Sequence, residues 1–428
     1  MGRLLIPPVL LLAAFFVLAQ QLAVPVLVDV SHGEITKGLD FWVNRTANPL
    51  AVVDFAELHI LVSPGARLDP VLSRLNASRL AVFIYGDLST VDLAKYKVVV
   101  LGQPPKPLTE AELAALKKWF DAGGKVLWCA ADSDYPAQGS EESQVACNDI
   151  AEYLGSRLRV DYVSVEDPKH NAKAGYRVVG VVSPPPSLSF LGFMASRVLF
   201  HGPGAVAVVL PDGRWVPATS PEVGRHYNNI HVVAKTTENG VIVEHRTSAD
   251  GKGRDGKAHK AGDQGVFALM ALEFMPGGSV FIISGETPYG GYEPGVAPMY
   301  YGVQLDGPRF LRNVLLWATG NYRELATIIQ LTASTESTQK ELAKLGEQVG
   351  QVEKAVTEAL RKEVNALQAK IDQLTAQLDS ANRKIDELSR LLNAATTEAN
   401  NARTMAFVGS LAALVLAIVA IVLATRKK

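Results

Sequence analysis

Residues 98–129, VVVLGQPPKPLTEAELAALKKWFDAGGKVLWC, decide the fold. The segment opens with the apolar run 98–101 and closes with the run 125–129, which is apolar after Lys125; both are typical of buried strands. Between them, Thr109 and Glu112 form a capping-box pattern, apolar residues recur at helical spacing, and two glycines end the helix. Strand, helix and strand in this order predict a parallel sheet with right-handed crossovers.

The same pattern continues on both sides of this segment. Upstream, residues 24–30 and 80–85 read as strands around a helix at 68–79. Downstream, the runs 267–274 and 279–284 read as a hairpin, followed by an amphipathic helix at 308–319. We therefore predict an α/β head built from residues 20–155 and 266–322.

The stretch between the two halves of the head differs in composition. Residues 156–265 contain Pro184-Pro185-Pro186, many glycines and short β-branched runs. The runs 230–234 and 241–245 flank Asn239-Gly240, which predicts a hairpin. The stretch is predicted to be a β-rich insertion in the head.

The charge balance excludes one class of function. The 428 residues carry 42 Lys and Arg against 43 Asp and Glu, a formal net charge of −1. A protein that holds a nucleic acid needs a clustered excess of basic residues, so nucleic acid is not an expected partner. Mean hydropathy is positive at +0.12, and the apolar excess lies at the two ends of the chain.

These apolar ends predict targeting and anchoring. Residues 1–19 have the pattern of a cleaved signal peptide, with an uncleaved anchor helix as the alternative. Residues 405–425 are long and apolar enough for a transmembrane helix, with a buried core helix as the alternative. The basic tail 426–428 then predicts a single-pass protein of the cell membrane, with an extracellular head and a cytoplasmic C-terminus.

A heptad pattern precedes the predicted anchor. After a linker at 323–341, residues 342–403 place apolar side chains at alternating steps of three and four, the seam of a coiled coil. A helix from about residue 335 to 403 would be roughly 100 Å long at about 1.5 Å per residue. We expect self-association through this stalk; packing of a polar helix back on the head is the alternative.

An exported head gives meaning to two further patterns. Asn44 and Asn76 stand in glycosylation sequons. Cys129 and Cys147 are the two cysteines of the chain. Outside the cytoplasm such a pair is expected to form a disulfide, with two buried thiols as the alternative.

The residues around the opening segment also carry a resemblance. The runs 98–101, 108–112 and 122–127, and the closing strand and helix at 279–285 and 309–317, resemble class I glutamine-amidotransferase-like (flavodoxin-like) domains. Extracytoplasmic members of that superfamily include auxiliary proteins of ABC transporters. Their opening strand often carries an Asp…His-Gly element, which residues 29–33 match. The stalk and anchor resemble the layout of archaeal surface-layer stalk proteins.

The sequence departs from the amidotransferases where their chemistry lies. Their nucleophilic cysteine stands on a strained turn between small residues, and a late histidine pairs with a carboxylate. Cys129 lies between Trp128 and Ala130, and no late His-x-Glu follows. We therefore expect no catalytic residue, no cofactor and no enzymatic activity from this pattern.

Candidate ligand residues follow the predicted parallel strands. Ligands of open sheets bind at the carboxyl ends of strands. The candidates there are Asp29, His32, Glu34, Asp132, Asp134, Glu286 and Tyr289, with Ser31, Gln103 and Tyr292 beside them. Such a set suits a hard cation or a sugar, so whether it holds a metal stays open; the alternative is that these are turn and cap residues. The loop 225–229 suits carbohydrate or protein contact, or is a solvated loop.

Three functions remain open from the sequence. The first is an exported, membrane-anchored structural or interaction protein of the cell envelope, with a non-catalytic head tethering a surface layer. The second is a transporter-associated receptor or auxiliary subunit that binds a sugar or a peptide. The third is a hydrolase that uses Asp29, His32 and Asp132.

Overall fold

The structure is a computed structural model that describes residues 23–136, 141–248, 251–321 and 361–401, with positions 338, 341, 342, 344, 345, 415, 417 and 420. Residues Ala19–Tyr322 form one compact unit, which we call the head. A long helix, Arg361–Asn401, belongs to a second unit.

The head alternates short strands with helices. The strands are β1 Val24–Asp29, β2 Ala56–Val62, β3 Val82–Tyr85, β4 Val98–Gly102, β5 Val126–Ala130, β6 Leu158–Val160, β7 Ser164–Glu166, β8 Arg177–Val182, β9 Arg197–His201, β10 Val206–Val209, β11 Trp215–Pro217, β12 Ile230–Lys235, β13 Gly240–Val243, β14 Gln264–Gly265, β15 Ala268–Phe274, β16 Val280–Ser284, β17 Met299–Tyr300 and β18 Val303–Gln304. The helices are α1 Leu39–Val43, α2 Pro70–Ser78, α3 Glu110–Asp121, α4 Glu142–Leu154, α5 Pro221–His226 and α6 Gly307–Thr319, and the long helix outside the head is α7.

A ten-stranded sheet organises the head, in the order β3, β2, β1, β4, β5, β16, β15, β12, β8, β9. Neighbours from β3 to β16 pair in parallel. Neighbours from β16 to β9 pair antiparallel. The chain is therefore a mixed α/β protein with a large parallel portion in its main sheet, which confirms the predicted class.

The segment quoted at the start forms a βαβ unit. β4 and β5 are parallel neighbours, and α3 connects them. The capping box is present, because the Thr109 hydroxyl accepts from the Glu112 amide at 3.3 Å and Glu112 Oε2 accepts from the Thr109 amide at 2.8 Å. Leu116 and Phe120 of α3 are buried in the core that also contains Ile150 of α4.

The strands of residues 156–265 do not all stand apart from the main sheet. β8, β9 and β12 extend it beyond β15, so that β15 is an inner strand rather than an exposed edge. The predicted hairpin across Asn239-Gly240 is wrong. β12 pairs with β15 and β8, whereas β13 pairs with β7 and β14 in a small separate sheet.

The predicted membrane anchor is corrected by the structure. In the part of the chain that the structure describes, no helix has the length and apolarity needed to cross a bilayer. The 41-residue helix α7 carries Lys, Arg, Asp and Glu along its length, and these charges are costly to bury in hydrocarbon. This finding corrects the predictions of a single-pass topology, a cell-membrane localisation and a surface-layer assignment.

Several predicted segments lie wholly or mostly outside the residues that the structure describes. The signal peptide 1–19 and the tail 426–428 lie outside the described residues, as do the predicted anchor except for 415, 417 and 420 and the linker except for 338 and 341. Within the predicted stalk 342–403, the helix is described over Arg361–Asn401. Its heptad residues Leu374 and Ile385 are 39% and 37% exposed.

Candidate functional site

The topology brings the predicted residues to one edge of the sheet. β1, β4, β5 and β16 are parallel, so their carboxyl ends lie side by side. Four antiparallel pairings separate β16 from β9, so β9 also runs in the direction of β16 and ends at this edge. We call this edge the carboxyl rim.

Four buried residues form a charge cluster at the rim: Asp29, His32, Glu34 and Glu112. His32 Nδ1 lies 2.7 Å from Asp29 Oδ2, and His32 Nε2 lies 3.1 Å from Glu112 Oε1. Glu34 contacts His32 twice: its Oε2 accepts a hydrogen bond from the His32 amide at 2.9 Å, and its Oε1 lies 3.9 Å from His32 Nδ1. Both ring nitrogens of His32 are thus held by carboxylates.

Electrostatics make His32 the cation of this cluster. Burial by itself lowers the pKa of His32, but the hydrogen bond and charge of Asp29, with the charges of Glu34 and Glu112, raise it to about 9. Burial and the charge of Asp29 raise the pKa of Glu34 well above its ordinary value. At neutral pH, His32 is therefore an imidazolium, and burial shifts Glu34 toward its neutral form.

Tyr289 is hydrogen-bonded to the backbone beside the charge cluster. Its ring is fully buried, its hydroxyl donates to the Asp29 carbonyl, and the same hydroxyl accepts from the Gly102 amide at 2.8 Å. A Cβ on residue 102 would lie only 2.5 Å from Cζ of Tyr289, so this approach requires glycine. Burial raises the pKa of Tyr289 well above its ordinary value, and the hydroxyl stays neutral.

Asp132 and Glu286 are two further buried carboxylates along the rim. Gln103 Nε2 donates to Asp132 Oδ2 at 2.7 Å. Glu286 accepts from the His201 amide at 2.5 Å and from the Thr287 amide at 2.8 Å. Burial and the nearby charge of Asp132 raise the pKa of Glu286 well above its ordinary value.

Asp134 serves a different part of the molecule. Its Oδ1 accepts from the Ser164 hydroxyl at 2.8 Å, and its Oδ2 accepts from the amides of His245 and Arg246 at 2.6 and 2.7 Å. These bonds fasten the ends of β7 and β13 to the main sheet. The side chain is a structural acceptor, which fits the turn-and-cap alternative for this residue.

A disulfide joins Cys129 and Cys147, and so links β5 to α4. Among the described residues no free cysteine remains. Of the sequon residues, Asn76 is exposed on α2, whereas Asn44 is half-buried and its Oδ1 accepts from the Thr46 amide at 3.0 Å.

The loop at 225–229 is held by its own contacts. Arg225 and His226 form the exposed last turn of α5. The Tyr227 hydroxyl donates to the Val209 carbonyl at 2.9 Å, and Asn229 Nδ2 donates to the Phe274 carbonyl at 2.8 Å. Two of its five side chains thus brace β10 and β15.

A tyrosine patch, formed by Tyr176, Tyr292, Tyr300 and Tyr301, lies at the far end of the rim, and three of its rings pack around His201. Tyr292 stacks on His201 with a centroid distance of 4.8 Å, and Tyr176 and Tyr300 meet the same ring edge-on, both at 5.5 Å. Burial, with the charges of Arg177 and Lys37, lowers the pKa of His201 to about 4.

Comparisons with known proteins add little to this geometry. No family model and no curated protein matches the chain. A solved structure that resembles it is the binary complex of leucoanthocyanidin reductase with NADPH from Vitis vinifera. It is 19% identical, with a TM-score of 0.21, over 32% of this chain and 48% of the reductase. The likeness spans about half of that protein, and a TM-score this low carries no argument about fold or function.

The sequence pattern missed two features of the rim. Glu112 was recognised only as a capping residue, although it also pairs with His32. Its position on α3 gives no signal of what faces it. The tyrosine patch was missed apart from Tyr292, because its members come from separate segments; the pair Tyr300-Tyr301 before a glycine was the available signal.

The charge cluster has two possible uses. Asp29, His32 and Glu34 each place one ligand atom within 4.8 Å of the others, so these three residues could hold a metal ion. In this structure, protonated His32 supplies the positive charge that a metal ion would supply, since both of its nitrogens contact carboxylates. The cluster is thus closed by its own ion pairs.

Proposed function

We propose that the chain is a non-catalytic interaction protein, with an amidotransferase-like head and a long helix through which copies associate. The observation that carries this proposal is the closed charge cluster. A general base needs a ring nitrogen free to take a proton from a reacting group. His32 has its two nitrogens on Asp29 and Glu112, and its pKa of about 9 keeps it protonated at neutral pH.

The cysteine arrangement supports the same proposal. An amidotransferase-like enzyme needs a thiolate nucleophile, and Cys129 is bonded to Cys147 instead. A disulfide also fits a chain that folds in an oxidising compartment. The hydrolase alternative loses support because Asp132 bonds to Gln103, while Glu112 takes the place beside His32.

Self-association is inferred from α7. Its apolar residues recur at heptad spacing, and this helix leaves them partly or fully uncovered: Ile371, Leu378 and Leu388 are intermediate in exposure, and Leu374 and Ile385 are exposed. A two-in-seven apolar stripe is buried by partner helices with the same repeat. A second copy of this chain supplies such a helix.

Two measurements test the proposal. Sedimentation equilibrium of the full chain should give an oligomer, and Leu378→Asp with Ile385→Asp should return it to a monomer; a wild-type monomer at micromolar concentration contradicts the association. Lys384→Asp, on the same helix, serves as the charge-matched control. Turnover of generic amide, ester or glycoside substrates that is lost in His32→Gln would contradict the catalytic silence.

A further inference from the structure

Three of the four rings in the tyrosine patch are exposed to solvent. Tyr176, Tyr292 and Tyr301 are 42%, 57% and 55% exposed. Large apolar rings clustered at one exposed place mark interaction sites more often than single exposed residues do. The patch lies at the same rim where ligands of open sheets bind.

A cation stands in the middle of the patch. The guanidinium carbon of Arg177 lies 3.7 Å from the Tyr301 ring centroid, 5.0 Å from that of Tyr176 and 5.7 Å from that of Tyr300. Its Nη2 donates to the Tyr176 hydroxyl at 3.0 Å, while its Nε is buried without a hydrogen-bond partner. The described residues place no carboxylate in an ion pair with Arg177, whereas the neighbouring Lys37 is paired with Glu293 at 2.7 Å.

The backbone of Tyr301 adopts a left-handed conformation that is unfavourable for a bulky residue. It stands with Gly302 in the two-residue turn between β17 and β18, with φ of 47° and 79°. Such turns favour Asn, Asp and Gly, and a bulky residue at positive φ is an outlier that often marks a functional position. The strain fixes an exposed ring against Arg177.

The ligand must match flat rings and a single unpaired cation. The apolar C–H face of a pyranose packs on a tyrosine ring, and a planar guanidinium binds a carboxylate through two parallel hydrogen bonds. A nucleic acid brings one negative charge per nucleotide and needs several cations along its path, which the patch lacks. An acidic saccharide combines many ring faces with sparse carboxylates.

We infer that the tyrosine patch with Arg177 is a binding site for a saccharide that carries a uronic acid. The sugar rings pack on Tyr292 and Tyr301, and the uronate carboxylate pairs with Arg177. The inference does not depend on the catalytic silence of the charge cluster or on self-association.

The test is calorimetric titration of the full chain with tri-galacturonic acid, and with its methyl ester as the uncharged match. The acid is expected to bind at least tenfold more tightly than the ester. Arg177→Gln should weaken binding of the acid by about tenfold or more and leave the ester unchanged, since only the charged contact is lost. Tyr301→Asn should weaken both ligands several-fold, and it keeps the turn because Asn accepts positive φ.

Controls separate a site from general stickiness or misfolding. Tyr85→Ala removes a tyrosine that is 56% exposed on β3, and should leave both affinities unchanged. Thermal melting of each variant checks the fold, and Arg177→Lys, which keeps the charge, should bind between wild type and Arg177→Gln. Absence of acid binding at millimolar concentration, equal loss in Tyr85→Ala, or tighter binding of pentaglutamate or oligothymidylate would each overturn the inference.

Discussion

Two histidines at the same rim have opposite electrostatic environments. His32 is surrounded by three carboxylates, which raise its pKa to about 9. His201 is surrounded by tyrosine rings, Arg177 and Lys37, and burial with these cations lowers its pKa to about 4. The strand ends place both rings, but the residues packed around them decide whether each is a cation.

The comparison separates a closed region from an open one. The charge cluster satisfies its ions internally and is buried. The tyrosine patch leaves three rings exposed to solvent beside a half-buried cation, Arg177. Stability is therefore expected to depend on the first region, and binding on the second.

The largest effect is expected from His32→Ala. The substitution leaves Asp29, Glu34 and Glu112 together without their cation, and removing one partner of a buried ionic network costs about 3–5 kcal/mol. Urea denaturation at pH 7 measures the change. His226→Ala, at an exposed helix end, is the matched control and should cost less than about 0.5 kcal/mol. A loss below about 1 kcal/mol for His32→Ala would show that the cluster is not a cohesive unit.

The disulfide tests whether the closed region also depends on covalent linkage. Cys129 and Cys147 are 18 positions apart, and closing a loop of this size stabilises the head by about 3 kcal/mol. The double variant Cys129→Ala with Cys147→Ala should lose this amount in urea denaturation and keep the affinity of the tyrosine patch. An equal fall in tri-galacturonate binding would mean that the two regions are not separable.

The pH dependence of stability should have opposite signs for the two histidines. The raised pKa of His32 gives stabilisation that is complete below about pH 6.5 and is lost as the pH rises through about 9, by about 3 kcal/mol. The lowered pKa of His201 contributes a gain in stability as the pH rises from about 4 to about 6.5, whereas the raised pKa values of Glu34 and Glu286 contribute a loss as the pH rises. Urea denaturation from pH 4 to 10 measures both limbs. In His32→Ala the alkaline loss should shrink and the acid limb should remain; an unchanged alkaline limb would argue against the assignment.

The smallest effect is expected from Glu34→Gln. Because burial and the charge of Asp29 raise the pKa of this carboxyl and favour its neutral form, a neutral amide of the same shape should change the free energy of unfolding at pH 6 by less than about 1 kcal/mol. Glu112→Gln is the comparison: it removes the charge beside His32 Nε2 and should cost about 1–3 kcal/mol. Equal costs for the two variants would show that Glu34 is ionised in the folded state.

The sequence predicted the elements better than their contacts. The capping box of Thr109 and Glu112, the βαβ unit and the hairpin of β15 and β16 all follow from local chemistry. The second role of Glu112, the strand partners of β12 and the approach of His201 to Tyr292 depend on residues far away in the chain. Local pattern carries no information on these pairings. Hydropathy alone also overstated the membrane case, which the described residues contradict.

The alternation of strand direction between β16 and β9 limits how this head can evolve. His201 reaches the rim because three strands, β15, β12 and β8, lie between β16 and β9, so an even number of direction reversals separates them. Loss or gain of a single strand in this stretch would move His201 to the opposite edge of the sheet, away from Glu286. Growth by whole hairpins is the change that keeps both histidines at the same edge of the sheet.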